Sequence, residues 1–179
     1  MSARDAVLDA YQAMLLEEGQ RATTLEAVAA RAGVSKGGLL YHFKSKDALA
    51  EGLIERLETL MTQDLEAMRT AEDGPSRYYV RTSVWTDSAL DRALVAVSQL
   101  AQESHPTARE AMARARDAWL ALIREEVDSP AIAHAILLIG DGLYFDAALT
   151  GGSLSTQVAQ AAVDELLPVV DHLLELGRG

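Results

Sequence analysis

Apolar residues recur every three or four positions along most of the chain, which is the period of an amphipathic helix. The first such segment, 4–18, carries an apolar stripe and is followed by Gly19, a typical stop; the stripe is Val7, Leu8, Tyr11, Met14 and Leu15. The same period predicts further helices over 24–32, 36–42, 46–70, 77–87, 88–103, 107–127, 130–150 and 155–176. No stretch alternates as a strand would, so the chain is predicted to be all-α with about nine helices.

The stretch 24–49 has the pattern of two short helices joined by a tight turn and followed at once by a longer helix. A T-x-x-E capping box that begins at Thr23 predicts a helix opening near Thr24. Gly33 is placed to end this helix, because glycine enters the left-handed conformation cheaply. Ser35 is placed to cap the next helix. The pattern is that of a helix-turn-helix.

The second short helix has a buried face and an outward face. Leu39 and Phe43 are one turn apart and are expected to seat it on the core. The outward residues are small, polar or basic, as a helix that enters the major groove requires: Ser35, Lys36, Gly37, Gly38, Tyr41 and His42. Two adjacent glycines weaken a helix by about 1 kcal/mol each relative to alanine. This cost indicates that something approaches the backbone closely there.

These residues resemble a known family. The segment GVSKGGLLYHFKSKDAL, preceded by TTLEAVAARA and RDAVLDAYQAMLLEEG, is similar to the amino-terminal DNA-binding domain of the TetR family of transcriptional regulators. The resemblance implies a three-helix head at 1–46 and a larger helical domain for effector binding and dimerisation at 47–179. It also implies that the long helix starting at Lys46 transmits ligand binding to the head.

A division of roles on the DNA follows from the same resemblance. Lys36 would reach base edges, and Gly37 and Gly38 would let the helix approach the groove. Phosphate contacts position such a protein on the duplex, and they are expected from Thr24, Ser35, Tyr41, His42 and Lys46. Where the family usually has a tyrosine directly after the leucine of the recognition helix, this chain has Leu40. The phosphate contact of that tyrosine therefore falls to Tyr41 and His42.

Charge at first argues against a nucleic-acid partner, because a net charge of −11 repels DNA. Its distribution reverses that interpretation. Segment 21–46 has a local charge of +4, from one acid, Glu26, and five bases: Arg21, Arg31, Lys36, Lys44 and Lys46. Charge alone leaves an ordinary solvated surface as an alternative, but the capped helices and the glycine pair favour a DNA-binding tip.

Composition bounds the remaining functions. The chain has no cysteine, and its first nineteen residues carry charges throughout, unlike a signal peptide. The longest apolar run, 131–140, is far shorter than the ~20 residues of a membrane span. We find no nucleophile elbow, phosphate-binding loop or metal-ligand spacing. The sequence thus predicts a cytoplasmic protein that is not an enzyme and carries no metal or cofactor.

The last two predicted helices suggest a second copy of the chain. The helix that opens at Pro130 is apolar nearly all round, and such a helix must be buried on all sides. Two helices from each copy would form a four-helix bundle, as in the TetR family, with an interface of Ile132, Ile136, Ile139, Leu143, Val158, Ala162, Leu166, Val169, Val170 and Leu173. A two-fold dimer would present its recognition helices about 34–36 Å apart to a near-palindromic operator. The alternative is a monomer with a thick core.

The region after Pro75 holds most of the chain's few aromatic residues and is the expected place for a small-molecule effector. The candidates are Tyr78, Tyr79, Trp85, Gln99, His105, Met112, Trp119, Asp141, Tyr144 and Phe145. Each aromatic residue is also consistent with an ordinary core position. Asp141 and Asp146 interrupt the apolar Pro130 helix, where they would pair with an arginine such as Arg116 or Arg124, or face a cationic ligand.

Three hypotheses result. The first is a homodimeric repressor that a small molecule releases from double-stranded operator DNA. The second is a dimeric helical DNA-binding protein with no effector, and ligand-dependent release separates the two. The third is an all-helical enzyme, which would show turnover without DNA affinity.

Overall fold

Helices make up most of the chain that the structure describes. The computed structural model describes residues 2–103, 105–149 and 156–177, and it describes no side chains for 146–149 and 156–157. The helices within these ranges are α1 (Ala3–Glu18), α2 (Leu25–Arg31), α3 (Lys36–His42), α4 (Lys46–Arg69), α5 (Pro75–Thr82), α6 (Ala89–Gln102), α7 (Pro106–Arg124), α8 (Pro130–Leu149) and α9 (Thr156–Gly177). These same ranges contain no strand. The predicted all-α class and the helix count are confirmed.

The helices form two compact units. The first unit comprises Met1–Met61 and Ala89–Arg114, and the second comprises Thr62–Ser88 and Ala115–Gly179. Helices α4 and α7 each contribute residues to both units. The domain boundary after residue 46 stays a prediction.

In the first unit, α1 crosses the two short helices and packs along α6. The helix opens with a capping box, in which Ser2 Oγ accepts a hydrogen bond from the Asp5 N–H while the Asp5 carboxylate accepts one from the Ser2 N–H. Its predicted apolar stripe is buried throughout: Val7, Leu8, Tyr11, Met14 and Leu15. Helices α2 and α3 pack against α1.

The start of α2 differs by one residue from the prediction. Thr24, not Thr23, caps the helix, and its hydroxyl oxygen accepts from the Ala27 N–H at 3.2 Å. Thr23 is buried and donates its hydroxyl hydrogen to the Gln20 carbonyl at 2.7 Å. The Thr23 side chain is thus bonded back to the preceding turn, and Thr24 is the residue whose oxygen meets the first free N–H groups of α2.

The turn between α2 and α3 forms as predicted. Gly33 has a φ of +68°, in the left-handed region that glycine tolerates. Ser35 then caps α3, accepting from the Gly38 N–H at 3.0 Å. Leu39 and Phe43 are buried, which seats α3 on α1 and α2.

Helix α5 ends at Thr82, five residues before the predicted end. Thr82 Oγ1 donates to the Tyr78 carbonyl at 2.9 Å, and Ser83 Oγ donates to the Tyr79 carbonyl at 2.7 Å. At Ser83 the hydroxyl takes the Tyr79 carbonyl, which would accept from the Ser83 N–H in a continued helix, and that N–H donates to the Val80 carbonyl at 3.3 Å instead. At the other end, Glu126 accepts from the Ser76 N–H at 2.7 Å and so caps α5 from α7's carboxyl side.

The core of the second unit lies where α5, α7, α8 and α9 meet. Its fully buried members include Met68, Val80, Ile123, Ala133, Ile136, Leu137 and Val170. The approach of α8 to α5 depends on Gly140, where an added Cβ would lie 2.3 Å from Tyr79 Cε1 and 2.7 Å from Ser83 Oγ. This contact fixes the spacing of the two helices.

Two apolar stripes on α8 and α9 remain exposed in the single chain. Leu138 and Phe145 are seven residues apart on α8 and are 58% and 64% exposed. Val158, Val169 and Leu176 recur on one side of α9 and are between 46% and 60% exposed. The predicted turn at 151–153 and the Asp146 side chain lie outside the described residues. No helix of the described ranges has both the length and the apolar character of a membrane span.

Candidate functional site

The exposed face of α3 is made of the residues predicted to meet DNA. Ser35, Lys36, Gly37, Tyr41 and His42 are all exposed, and Gly38 is half-exposed. The only atom near an added Gly37 Cβ is Ser35 Oγ, at 4.0 Å. Packing within the described chain therefore does not require a glycine at position 37.

Lys36, the predicted base reader, forms an ion pair within the chain. Its Nζ donates to Glu26 Oε1 at 2.6 Å, and both side chains are exposed. The hydrogen bond from the Lys36 ammonium lowers the pKa of the Glu26 carboxyl. Exposed ion pairs are weak because water competes for both partners, so Lys36 is free to exchange Glu26 for a base edge.

The other bases of the head fall into two groups. The Arg31 guanidinium makes two 2.7 Å hydrogen bonds to Glu17 and so ties α2 to α1. Lys46 is half-buried, donates to the Gln20 carbonyl, and has its pKa lowered by that burial. Arg21 and Lys44 are exposed, and within the described chain they have no ion-pair partner. Arg21 and Lys44 therefore supply uncompensated positive charge in segment 21–46, and Lys44 lies two residues after the end of α3.

The end of α3 presents two aromatic side chains. Tyr41 is 83% exposed, and its ring stands edge-on to that of His42, with centroids 5.0 Å apart and an interplanar angle of 82°. A phenol exposed to solvent offers a hydroxyl to a phosphate. This arrangement suits the role assigned to Tyr41 and His42 where Leu40 replaces the family's tyrosine.

The predicted effector residues divide between the two units. Gln99, His105 and Met112 lie in the first unit. The second unit holds Tyr78, Trp85, Trp119, Asp141, Tyr144 and Phe145. Among the latter, Phe145 is exposed, and the Trp85 and Tyr144 rings lie 6.4 Å apart. Their role in binding an effector stays a prediction.

Asp64 joins two of these residues across three helices. Its Oδ1 accepts a 3.1 Å hydrogen bond from the Tyr78 hydroxyl, and its Oδ2 accepts one of 2.8 Å from Trp119 Nε1. Burial, followed by the nearby Asp64 charge, raises the pKa of Tyr78 to about 12. Asp64 was not among the predicted residues, although the sequence carries a signal for it. It follows Leu57 and Met61 at core spacing, so a carboxylate occupies a position of the apolar stripe of α4.

Asp141 forms a second polar group in the same unit. Arg116 donates to its Oδ2 through Nε at 3.2 Å and Nη2 at 3.1 Å, and the Tyr79 hydroxyl donates to its Oδ1 at 2.8 Å. Burial and the Asp141 charge raise the pKa of Tyr79. The Tyr79 ring lies 5.5 Å from that of Trp119, which brings the two polar groups together. The expected pairing of Asp141 with an arginine is observed.

The ten predicted interface residues differ in their burial. Val158 and Val169 are exposed, whereas Ile136 and Val170 have no exposed surface and belong to this chain's own core. The others are half-exposed: Ile132, Ile139, Leu143, Ala162, Leu166 and Leu173. The exposed Leu138, Phe145 and Leu176 were not among the predicted residues, because periodicity alone does not tell which side of an all-apolar helix is covered.

Comparison with known proteins gives matches over both parts of the chain. A family model described as bacterial regulatory proteins of the tetR family matches residues 7–53. A second, described as the C-terminal domain of tetracyclin repressor-like proteins, matches residues 73–171, more than half of the chain.

Individual relatives agree with these matches. A TetR family member from Streptomyces coelicolor A3 has a TM-score of 0.70 at 21% identity and covers 93% of this chain and 98% of that one. EbrR, described as a multidrug binding protein in complex with malachite green, has a TM-score of 0.72 at 19% identity, over 95% of this chain and 96% of that one. At such identity the likeness shows a shared fold. The nucleoid occlusion factor SlmA of Haemophilus ducreyi is 39% identical over 57 residues, which is 32% of this chain and only 28% of that protein.

Proposed function

We propose a specific mode of action for this chain, which belongs to the TetR family of bacterial regulatory proteins and is therefore a DNA-binding transcriptional regulator. In this proposal it is a cytoplasmic homodimeric repressor that a small molecule releases from a near-palindromic operator. The exposed, glycine-containing face of α3 is the observation that carries the DNA-binding part. Ser35 caps the N-terminus of α3, so this helix is already formed in the absence of DNA.

On the operator, the predicted residues of the head read bases, admit the helix to the groove or hold phosphates. Lys36 leaves Glu26 and reads base edges, while Gly37 and Gly38 let the helix enter the groove. The phosphates are held by Thr24, Ser35, Tyr41, His42 and Lys46. One of the three Lys46 N–H donors is used by the Gln20 carbonyl, which leaves two for a phosphate.

Lys36→Ala is expected to reduce the preference for operator over random duplex by about tenfold, because one base contact contributes about 1–3 kcal/mol of discrimination. Lys46→Ala is expected to weaken binding to all sequences alike. It should also lower by about one the steepness with which the logarithm of the DNA-binding constant falls with the logarithm of the salt concentration. Titration of a selected operator and a random duplex at several salt concentrations measures both effects. Equal losses on the two duplexes for Lys36→Ala would rule out base reading by this residue.

The dimer in this proposal forms through the exposed stripes of α8 and α9. Five large apolar side chains on two adjacent helices are a costly surface for a monomer, and covering them with the same face of a second copy removes that cost. The half-exposed predicted residues, such as Leu143 and Leu166, would surround this face.

Leu138→Asp is expected to convert the protein from dimer to monomer at micromolar concentration, because it would bury an unpaired carboxylate in the interface between the two copies. Leu138 is exposed in the single chain, so the fold should survive. Tyr41→Asp, which changes an exposed residue of α3, far from Leu138 along the chain, should leave the dimer intact. Sedimentation velocity distinguishes the species, and a wild-type monomer would contradict the proposal.

The effector in this proposal binds within the second unit and acts through α4. A ligand shifts the protein between states only by its differential affinity for them. Helix α4 begins at Lys46 in the first unit and carries Asp64 in the second. A ligand that moves α4 near Asp64 therefore acts on the helix that begins at Lys46. Release of operator on addition of a ligand, measured by fluorescence anisotropy, tests this part.

A further inference from the structure

The half-buried carboxylates of the second unit are almost all matched by positive charge. Asp73 receives two hydrogen bonds from the Arg81 guanidinium, at 2.9 and 3.2 Å. Asp141 is paired with Arg116. Glu126 caps the amino end of α5, where the helix dipole supplies partial positive charge.

Asp64 is different. It too is half-buried, but both of its hydrogen bonds come from neutral donors, the Tyr78 hydroxyl and the Trp119 indole. Over the whole described part of the chain, no lysine, arginine or histidine forms an ion pair with it. A carboxylate taken partly out of water without a cation is costly. Among the half-buried carboxylates that the structure describes in this unit, Asp64 is thus the one matched by neither a cation nor a helix dipole.

The surroundings of Asp64 suit a cation from outside. A carboxylate has about four acceptor positions, and Tyr78 and Trp119 use two of them. Both rings are half-exposed, but the Arg81 guanidinium already lies over the Tyr78 ring, 5.6 Å from its centroid, so the Trp119 ring is the one open to another cation. The Tyr79 ring lies 5.5 Å from that of Trp119. Aromatic faces attract cations through their quadrupole, most strongly for tryptophan. Charge and aromatic surface thus point to the same class of ligand.

We infer that Asp64, with the ring of Trp119, binds the positive group of an organic cation, and that the effector of this regulator belongs to that class. The binding site follows from the geometry alone. That the bound cation acts as the effector rests on the proposed function. The hydrogen bonds of Asp64 also link α5 and α7 to α4. A cation that pairs with this carboxylate and displaces those hydrogen bonds would therefore change the contacts of α4.

The test uses two ions of the same size and shape and opposite charge, tetraphenylphosphonium and tetraphenylborate. Calorimetric titration of the full-length protein at physiological salt, without DNA, should give one phosphonium ion bound per chain. Its affinity should be at least about tenfold higher than that of the borate, since only the phosphonium finds an opposite charge. Equal affinities, or no heat with the phosphonium, would overturn the inference.

Variants locate the charge. Asp64→Asn keeps the shape of the side chain and should weaken phosphonium binding by about tenfold. Asp117→Asn makes the same change in net charge at an exposed position of α7 and should leave the affinity unchanged. Unchanged binding by a folded Asp64→Asn would refute the assignment.

A fluorescence readout serves if Asp64→Asn does not fold. The chain has two tryptophans, so Trp85→Phe leaves Trp119 as the sole indole. Phosphonium binding should then alter Trp119 emission, and binding with no change in emission would place the ion elsewhere. Operator affinity is measured separately without any cation. A protein that binds DNA but no cation defeats this inference alone, and one that binds the cation but no DNA defeats the regulatory proposal alone.

Discussion

Gly140→Ala should destabilise the second unit by about 2 kcal/mol, within the range of overpacked cores. The new methyl would lie 2.3 Å from Tyr79 Cε1, a distance that real contacts do not reach. Tyr79 has little freedom to move, because its hydroxyl is bonded to Asp141 and its ring lies against Trp119. Helices α5 and α8 must then separate, and core contacts around Ile136 and Leu137 are lost.

Gly37→Ala is the matched control for this prediction. The chemical change is the same and the position is again helical, but nothing lies closer to the new methyl than 4.0 Å. Alanine should therefore raise stability there, by up to about 1 kcal/mol. Both tryptophans lie in the second unit, so their emission during urea unfolding follows Gly140→Ala, and far-UV circular dichroism follows both variants. Effects of the same sign would show that helix propensity, not packing, decides at position 140.

Local signals in the sequence predict the helix-turn-helix in detail. The left-handed Gly33 and the Ser35 cap act within four residues of themselves, and their physics needs no partner from elsewhere in the chain. The buried stripe of α1 is equally legible, since its period alone assigns each residue to a face. The errors in the head are single-residue shifts, as at Thr23 and Thr24.

The contacts of the second unit are harder to predict from the sequence, for a physical reason. Trp119 bonds to a residue 55 positions away, and Tyr79 to one 62 positions away. No spacing along the chain encodes such a pair, so the aromatic residues after Pro75 could be named but not assigned to contacts. The predicted end of α5 was wrong for a different reason, because the Ser83 hydroxyl takes the carbonyl that the next backbone N–H of the helix would use.

The polar residues of the body show what a pattern does encode. A carboxylate on an apolar face predicts that a partner exists without saying which one. For Asp141 the partner is Arg116, one of the two arginines proposed for it. For Asp64 the same rule leads to neutral donors alone, and the missing cation is the basis of the ligand class inferred above.

Gly37 offers the sharpest separation of folding from DNA binding. Gly37→Ala is expected to lower operator affinity by about tenfold and Gly37→Leu by about a hundredfold, as one misfit at a groove contact costs about 1–3 kcal/mol. Neither variant should unfold the head, because position 37 faces open space. Stability and affinity would then change in opposite directions for the alanine variant.

Ala113→Leu provides the comparison, since it enlarges an exposed side chain on α7 and should leave operator binding unchanged. Operator titrations of the three variants, with unfolding curves of the same samples, decide the matter. If Gly37→Leu binds operator as the wild type does, no duplex lies against α3 at this residue, and the glycine pair needs another explanation. If affinity falls with side-chain size while the fold holds, the backbone of α3 is in contact with DNA. A glycine that weakens its own helix is then kept for the depth to which that helix enters the groove.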